Sequence, residues 1–338
     1  MKIILYLLLI SFSIGVYNPA YAEIGEFRNK IREAIKERKT GESDKNLSEI
    51  DEPITKSGKY IFSIQQGGLP RKYIVYVPIG YNPQIASPLL MAFHGGGGDM
   101  NYMARDEYYG LISKSNKEKF IVIFPSGYSK FKSGKLATWN AGKCCGDARD
   151  KKINDIEFIS NILSNVSHQM NIDKTRIFAT GMSNGGMISY SIACELPNIF
   201  RAIAAVAGTD NNISCSHKTS ISILHIHALN DTHVLFYGGA GKNSFRDTSK
   251  VTDFISVPDT IKKWVGYNQC NTEPKRILSV SGAYCDLYDA CNENSQVQLC
   301  VTTTGGHSWP GGYKPRGEET SKAISANDVM WNFFKNQK

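Results

Sequence analysis

The chain has 338 residues, 41% of them hydrophobic and 21% charged. That balance excludes a disordered or fibrous polymer and leaves a folded globular protein with a sizeable core, in one large domain or two. The formal net charge of +8 favours anionic surroundings. Its lysines and arginines are scattered without interleaved aromatics, however, so no nucleic-acid partner is expected.

Residues 1–22 read as a signal peptide. Lys2 precedes the apolar run Ile3 to Ile10, and Ala20-Tyr21-Ala22 is a small-x-small cleavage site. The apolar run is short for a span, and nothing later is long and apolar enough to cross a bilayer. No integral membrane segment is therefore expected after cleavage, and the mature protein is expected to be exported, to a periplasm or outside the cell. Residues 23–57 read as an amphipathic helix, with Ile24, Phe27, Ile31 and Ile35 at helical spacing, and then a polar linker through Pro53. The catalytic domain is expected over 58–338. Export suits disulfides among Cys144, Cys145, Cys194, Cys215, Cys270, Cys285, Cys291 and Cys300. The expected pairs are Cys194–Cys215 and Cys270–Cys291, with the other four left open. None of the cysteine spacings suits a zinc site, and no metal is expected.

From Gly58 onward strands and helices interleave. Predicted strands are Arg71 to Val77, Leu89 to Phe93, Phe120 to Phe124, the run opening at Ile177, Ala202 to Val206, Ser222 to His227 and Gln296 to Val301. Predicted helices are Asp155 to Met170, the segment after Met187, Pro258 to Val265, and a last one capped by Ser325. Short buried strands alternating with helices imply an α/β fold, with a mostly parallel sheet covered by helices on both faces.

The chain's chemistry centres on Gly181-Met182-Ser183-Asn184-Gly185. A strand runs into a G-x-S-x-G turn and then into a helix, the context a nucleophilic serine needs. The backbone N–H of Asn184 is placed to face an oxyanion forming beside Ser183. A serine needs a base, and the base needs an acid to hold its tautomer. The expected acid is Asp231, a short loop beyond the strand ending at His227; Asp210 is the alternative. The expected base is His307, in the loop Gly305-Gly306-His307-Ser308-Trp309-Pro310; His233 is its rival. His225 and His227 alternate with apolar residues on a strand and read as structural. The loop His94-Gly95-Gly96-Gly97-Gly98 follows a strand, so Gly96, or failing it Gly97, is the expected second oxyanion donor, with His94 bracing the loop.

These motifs in this order resemble the secreted polyhydroxybutyrate depolymerase / feruloyl esterase family. The likeness spans about Gly58 to Pro310. It rests on His94-Gly95, Thr138-Trp139-Asn140 before Cys144-Cys145-Gly146, Asn154-Asp155-Ile156, Gly181 to Met187, His225-Ile226-His227, Asp231 and Gly306 to Gly311. The resemblance implies an α/β-hydrolase fold and a serine carboxylic-ester hydrolase working through an acyl-enzyme, with Ser183, His307 and Asp231 as its triad. No cofactor is implied, and the partner is an ester substrate, polymeric or small. Two departures touch the substrate: Ala228 stands where the family usually has glycine, and the oxyanion loop has glycine where many members have cysteine. Trp139 and Trp309 are candidate substrate-binding residues, with core packing as the alternative for each. Ser126 to Lys152 is a candidate lid or cleft wall. A serine peptidase or acyltransferase on the same scaffold, or a non-catalytic binding protein, are the competing readings.

Overall fold

Short apolar runs become, in a computed structural model of the chain, the strands of one sheet. The structure describes residues 52–215, 219–244 and 253–337; the expected signal peptide and the helix expected over Glu23 to Arg38 lie outside them. The strands are β1 (Gly58–Gln66), β2 (Leu69–Val77), β3 (Ser87–Phe93), β4 (Ile121–Pro125), β5 (Ile172–Met182), β6 (Ala202–Val206), β7 (Ser222–Ala228), β8 (Lys275–Val280), β9 (Ala283–Tyr288) and β10 (Val297–Thr302). They lie in the order β1-β2-β4-β3-β5-β6-β7-β10-β9-β8. The centre, from β4 through β3, β5, β6 and β7 to β10, is parallel. The β1–β2 and β9–β8 hairpins flank it antiparallel.

The two faces are separate cores. Leu89, Met91 and Phe93 of β3 point to one face. They meet Phe158, Ile159 and Ile162 of α1 (Asp155–Gln169), Ile188 and Ile192 of α2 (Asn184–Glu195), and Trp264 of α3 (Val257–Tyr267). Leu90 and Ala92 point the other way, towards Leu111 and towards Met330, Trp331 and Phe334 of α4 (Ala326–Lys335). Covering on both faces makes the central strands apolar at nearly every position, and β3, β6 and β7 are buried throughout. The edge strand β8 is exposed at five of six positions and begins Lys275-Arg276. Such a strand has no apolar run to announce it, and charge on an edge discourages pairing with another chain. That is why the hairpin β8–β9 was not predicted.

Helix boundaries follow their caps. The Asn154, Ser256 and Ser325 side chains accept from the N–H groups of Glu157, Asp259 and Asp328, at the starts of α1, α3 and α4. The disulfides include the two expected pairs, Cys194–Cys215 and Cys270–Cys291, and the remaining cysteines form Cys144–Cys145 and Cys285–Cys300. Among the described residues no helix is long and apolar enough to cross a membrane. Because β3, β5, β7 and β10 are parallel, their C-terminal ends share one edge of the sheet, where open α/β sheets assemble sites.

Candidate active site

The turn after β5 is the most constrained point of that edge. Ser183 takes φ 57° and ψ −123° between the strand and α2, a conformation costly for a residue with a side chain. Its N–H donates to Val206 O at 2.8 Å, and its carbonyl accepts from Met187 N at 2.9 Å. The flanking glycines permit the turn by close approach. A Cβ on Gly181 would strike the Gly185 carbonyl, and one on Gly185 would strike the carbonyls of Phe93 and His94. The N–H of Asn184 stands in the first turn of α2, where helix N–H groups have no intrahelical partner. Its side chain is occupied elsewhere: Oδ1 accepts from Trp139 N at 2.7 Å and Nδ2 donates to Trp139 O at 3.1 Å.

The glycine loop after β3 is braced from below by His94. The ring is fully buried; Nδ1–H donates to Gly95 O at 2.8 Å and Nε2 accepts from Gly127 N–H at 2.9 Å. A carbonyl on one nitrogen and an N–H on the other leave a single neutral tautomer, and burial pushes the imidazole down to about 4. Within the loop, Gly97 N–H is taken by Ala137 O at 2.8 Å and Gly98 N–H by Gly95 O at 3.0 Å. Gly96 N–H has no acceptor among the described residues, and Gly95 and Gly96 line a cavity together with Ser183.

Asp231 and His307 arrive from β7 and β10. Asp231 is 3% exposed. Its Oδ1 accepts from the N–H groups of His233 at 2.8 Å and Val234 at 3.1 Å, and its Oδ2 accepts from His307 Nδ1–H at 2.8 Å. Burial alone would raise this carboxyl, but the His307 imidazole and the contacts from His227 and His307 outweigh it and hold it well below the ordinary carboxylate range. The two loops are tied together by Gly306 N–H donating to Asn230 Oδ1 at 2.9 Å. The His233 ring stacks on His307, centroids 4.5 Å apart and planes 16° from parallel. Burial first, and then His307, push His233 down to about 4, so it stays neutral at physiological pH.

Ser183 and His307 open into one cavity of about 370 Å3. The Ser183 hydroxyl makes no hydrogen bond to a described residue, His307 included; such bonds commonly tighten only with substrate bound. One wall is aromatic: Tyr102, Tyr108, Tyr109, Trp309 and Tyr313. The lining also includes Met182, Val234 and Phe254 with the polar His233, Asn243 and Lys314.

The structure thus brings Ser183, Gly96, His307 and Trp309 to one cavity, with Asn184 beside Ser183 and Asp231 behind His307. It places Trp139 elsewhere. Trp139 is fully buried in the core, edge-on to Phe93, and its Nε1–H donates to His94 O at 2.9 Å. It is a strut between the glycine loop and Asn184, and the candidate substrate contact at Trp139 is corrected accordingly. Ser126 to Lys152 supplies no residue to this cavity, so it is no lid over it; Ala141, Cys144 and Cys145 pack in the core. Asp210, the alternative acid, is committed to Trp264 Nε1 at 3.0 Å and Lys263 Nζ at 2.8 Å, and it does not line the cavity. Sequence reasoning missed the tyrosine wall. Its signal was Tyr102, Tyr108 and Tyr109 following the glycine loop, which periodicity alone does not distinguish from core.

Asp231, His233 and His307 also bring one potential ligand atom each within 4.8 Å of one another. Two nearly parallel stacked imidazoles do not converge their in-plane lone pairs on one ion, and Asp231 already spends its oxygens on hydrogen bonds. The arrangement suits a hydroxyl, an imidazole and a carboxylate in series.

The chain is similar to known esterases. Residues 65–280 match the model of the family described as "Putative esterase". The chain is 28% identical over 245 residues to feruloyl esterase B of Piromyces equi, covering 70% of this chain and 42% of that protein. It is 27% identical over 271 residues to a "probable feruloyl esterase C" of Aspergillus niger, covering 78% and 83%. Among solved structures, an acetyl xylan esterase from Aspergillus awamori superposes with a TM-score of 0.54 at 15% identity, over 81% of this chain and 98% of that one. The sheet and its two helical layers are those of an α/β-hydrolase. The chain spans about half the length of most of the relatives it matches.

Proposed function

The chain belongs to this esterase family, and from that premise we propose that it is a serine carboxylic-ester hydrolase with Ser183 as nucleophile, His307 as base and Asp231 as the orienting acid. The observation that carries the reading is the 2.8 Å bond from His307 Nδ1–H to Asp231 Oδ2, with His307 and Ser183 in one cavity. His307 Nε2 takes the Ser183 proton as Oγ attacks the ester carbonyl, and the oxyanion lies between the N–H groups of Asn184 and Gly96. Collapse expels the alcohol, which leaves with the proton from His307. Water then gives His307 a proton as it attacks the acyl-enzyme, and His307 returns that proton to Ser183 Oγ as the acid is released.

The acyl group is an aromatic, hydroxycinnamoyl one. The tyrosine and tryptophan wall supports this, since flat rings stack edge-on or offset on such a surface, as do relatives that are themselves named feruloyl esterases. The alcohol side is a polysaccharide or a small alcohol. The protein is exported after removal of residues 1–22, with its catalytic domain over 58–338; four disulfides support an oxidising compartment.

A substrate panel tests the whole reading: methyl ferulate, acetylated xylan, hydroxybutyrate oligomers, a peptide, and nitrophenyl esters of graded length. Methyl ferulate is expected to give the highest kcat/KM. Ser183→Ala is expected to lower turnover on every ester by roughly 10⁵–10⁶ and to abolish labelling by a fluorophosphonate. Activity of Ser183→Ala near wild type removes Ser183 from the chemistry. Preference for acetyl or hydroxybutyryl esters overturns the acyl assignment alone, whereas preference for the peptide overturns the ester-hydrolase reading.

A further inference from the structure

Behind Asp231, on the side away from the cavity, lies a buried polar chain that the triad does not use. The Tyr190 hydroxyl of α2 sits 2.7 Å from His225 Nδ1, His225 Nε2 sits 3.0 Å from His227 Nδ1, and His227 Nε2 sits 2.9 Å from Val234 O. The same His227 Nε2 lies 3.3 Å from Asp231 Oδ2, the oxygen that receives His307. Tyr190 and His225 are fully buried and His227 is 1% exposed. The two imidazoles stack at 5.2 Å, with planes 10° apart, on neighbouring alternate positions of β7.

The direction of this chain is not free. A carbonyl oxygen only accepts, so His227 must carry its proton on Nε2, facing both Val234 O and the Asp231 carboxylate. In a neutral ring its Nδ1 is then a lone pair, which His225 must meet with Nε2–H. The Nδ1 of His225 is in turn a lone pair, which the Tyr190 hydroxyl meets as donor. The reverse arrangement would aim a lone pair at a carbonyl and a buried carboxylate. Burial, reinforced by His227, pushes the His225 imidazole far down, consistent with a neutral ring.

We propose that Tyr190, His225 and His227 are positioning residues for the triad: a one-way hydrogen-bond chain that presents the His227 Nε2–H to Asp231 Oδ2 and so fixes the oxygen that orients His307. Without it, Oδ2 keeps only His307 as a hydrogen-bond donor, while Oδ1 stays anchored by two backbone N–H groups, and the carboxylate pivots about that anchored oxygen. The inference rests on Ser183, Asp231 and His307 acting as proposed above.

The test uses two substitutions that differ in which ring nitrogen they imitate. The amide nitrogen of His227→Gln reaches the place of Nε2 and keeps a donor facing Val234 O and Asp231. His227→Asn ends at the place of Nδ1; it can still accept from His225 but leaves the carboxylate side empty. Kinetics on methyl ferulate and a nitrophenyl ester are expected to show kcat down on the order of tenfold or more in His227→Asn, with KM within about twofold, and kcat restored to within about threefold of wild type in His227→Gln. Equal losses in the two variants, or no loss in His227→Asn, overturn the proposal. Should either variant fail to fold, nitrogen NMR of wild-type protein labelled in histidine gives the tautomers directly. Protons on Nε2 of both His225 and His227 are expected, and a proton on His227 Nδ1 alone overturns the chain. Wild-type protein that neither hydrolyses esters nor labels with a fluorophosphonate refutes the parent reading instead, so the two failures are told apart.

Discussion

At the scale of single residues, the site depends on which atoms are already committed. Asp231 has two oxygens with different duties: Oδ1 holds its own loop through His233 and Val234, and Oδ2 receives His307. Asp231→Asn keeps an acceptor for the loop but presents an amide N–H towards His307 Nδ1, which forces the imidazole into the tautomer that cannot take the serine proton. By analogy with the same change in a serine protease, turnover is expected to fall on the order of 10⁴, while a melting curve within a few degrees of wild type reports an intact fold. A loss within severalfold moves the acid to another residue. It will not be Asp210, whose carboxylate already serves Trp264 and Lys263. Asp231, His307 and Ser183 were legible because each type is rare after a strand in the required order. The commitments of Trp139 were not legible, since an indole in sequence shows neither what its N–H meets nor which side of the nucleophile's turn it supports.

At the scale of elements, the turn between β5 and α2 and the glycine loop after β3 act as one unit. Gly185 is where they touch, because its Cα faces the carbonyls of Phe93 and His94. Gly185→Ala must push these backbones apart, at a cost of about 1–3 kcal/mol or more. Both the denaturation midpoint and esterase activity are expected to fall; a variant as stable and active as wild type would mean the turn is looser than described. Trp139 links the same two elements from beneath. Trp139→Phe keeps most of the packing but removes the bond to His94 O. It is expected to lower kcat by about tenfold with a smaller change in KM, because the oxyanion donors act in the transition state. A change confined to KM would instead return Trp139 to a substrate contact. The motif pattern exposed both elements in the sequence. Their contact was hidden, because residues 93–98 and 181–186 meet only once β3 and β5 lie side by side.

At the scale of the whole molecule, several imidazoles are buried neutral, and this couples stability to pH. His94 is held down to about 4 against an ordinary value of 6.5. Between those values the unfolded chain binds a proton that the folded one does not. Its contribution is therefore complete above about pH 6.5, shrinks as pH falls, and is exhausted near pH 4. A shift of this size corresponds to about 3 kcal/mol for a fully buried group. His225 and His233 are shifted in the same direction. Asp231, held low, keeps its contribution above the range in which a free carboxylate titrates and loses it progressively as pH falls through that range towards its own lowered value, so its window lies on the acid side of that of His94. Urea titrations at pH 7 and near pH 4.5 are expected to show a clear loss of stability, and a smaller loss in His94→Gln than in wild type. Identical losses in the two proteins would mean His94 is not buried neutral.

Local chemistry was enough to specify the alternation of strands and helices, the serine turn, and the loops that carry Asp231 and His307, because each depends on residues near one another in the chain or on a pattern with a period. The tertiary structure alone decided which N–H of the glycine loop has no acceptor among the described residues, that Trp139 is a strut, that the cavity has a tyrosine wall, and that His227 stands behind Asp231. Those are contacts between segments separated by tens of residues or more, brought together only when parallel strands stack in an order the chain does not follow. No property of either partner taken alone encodes such a meeting.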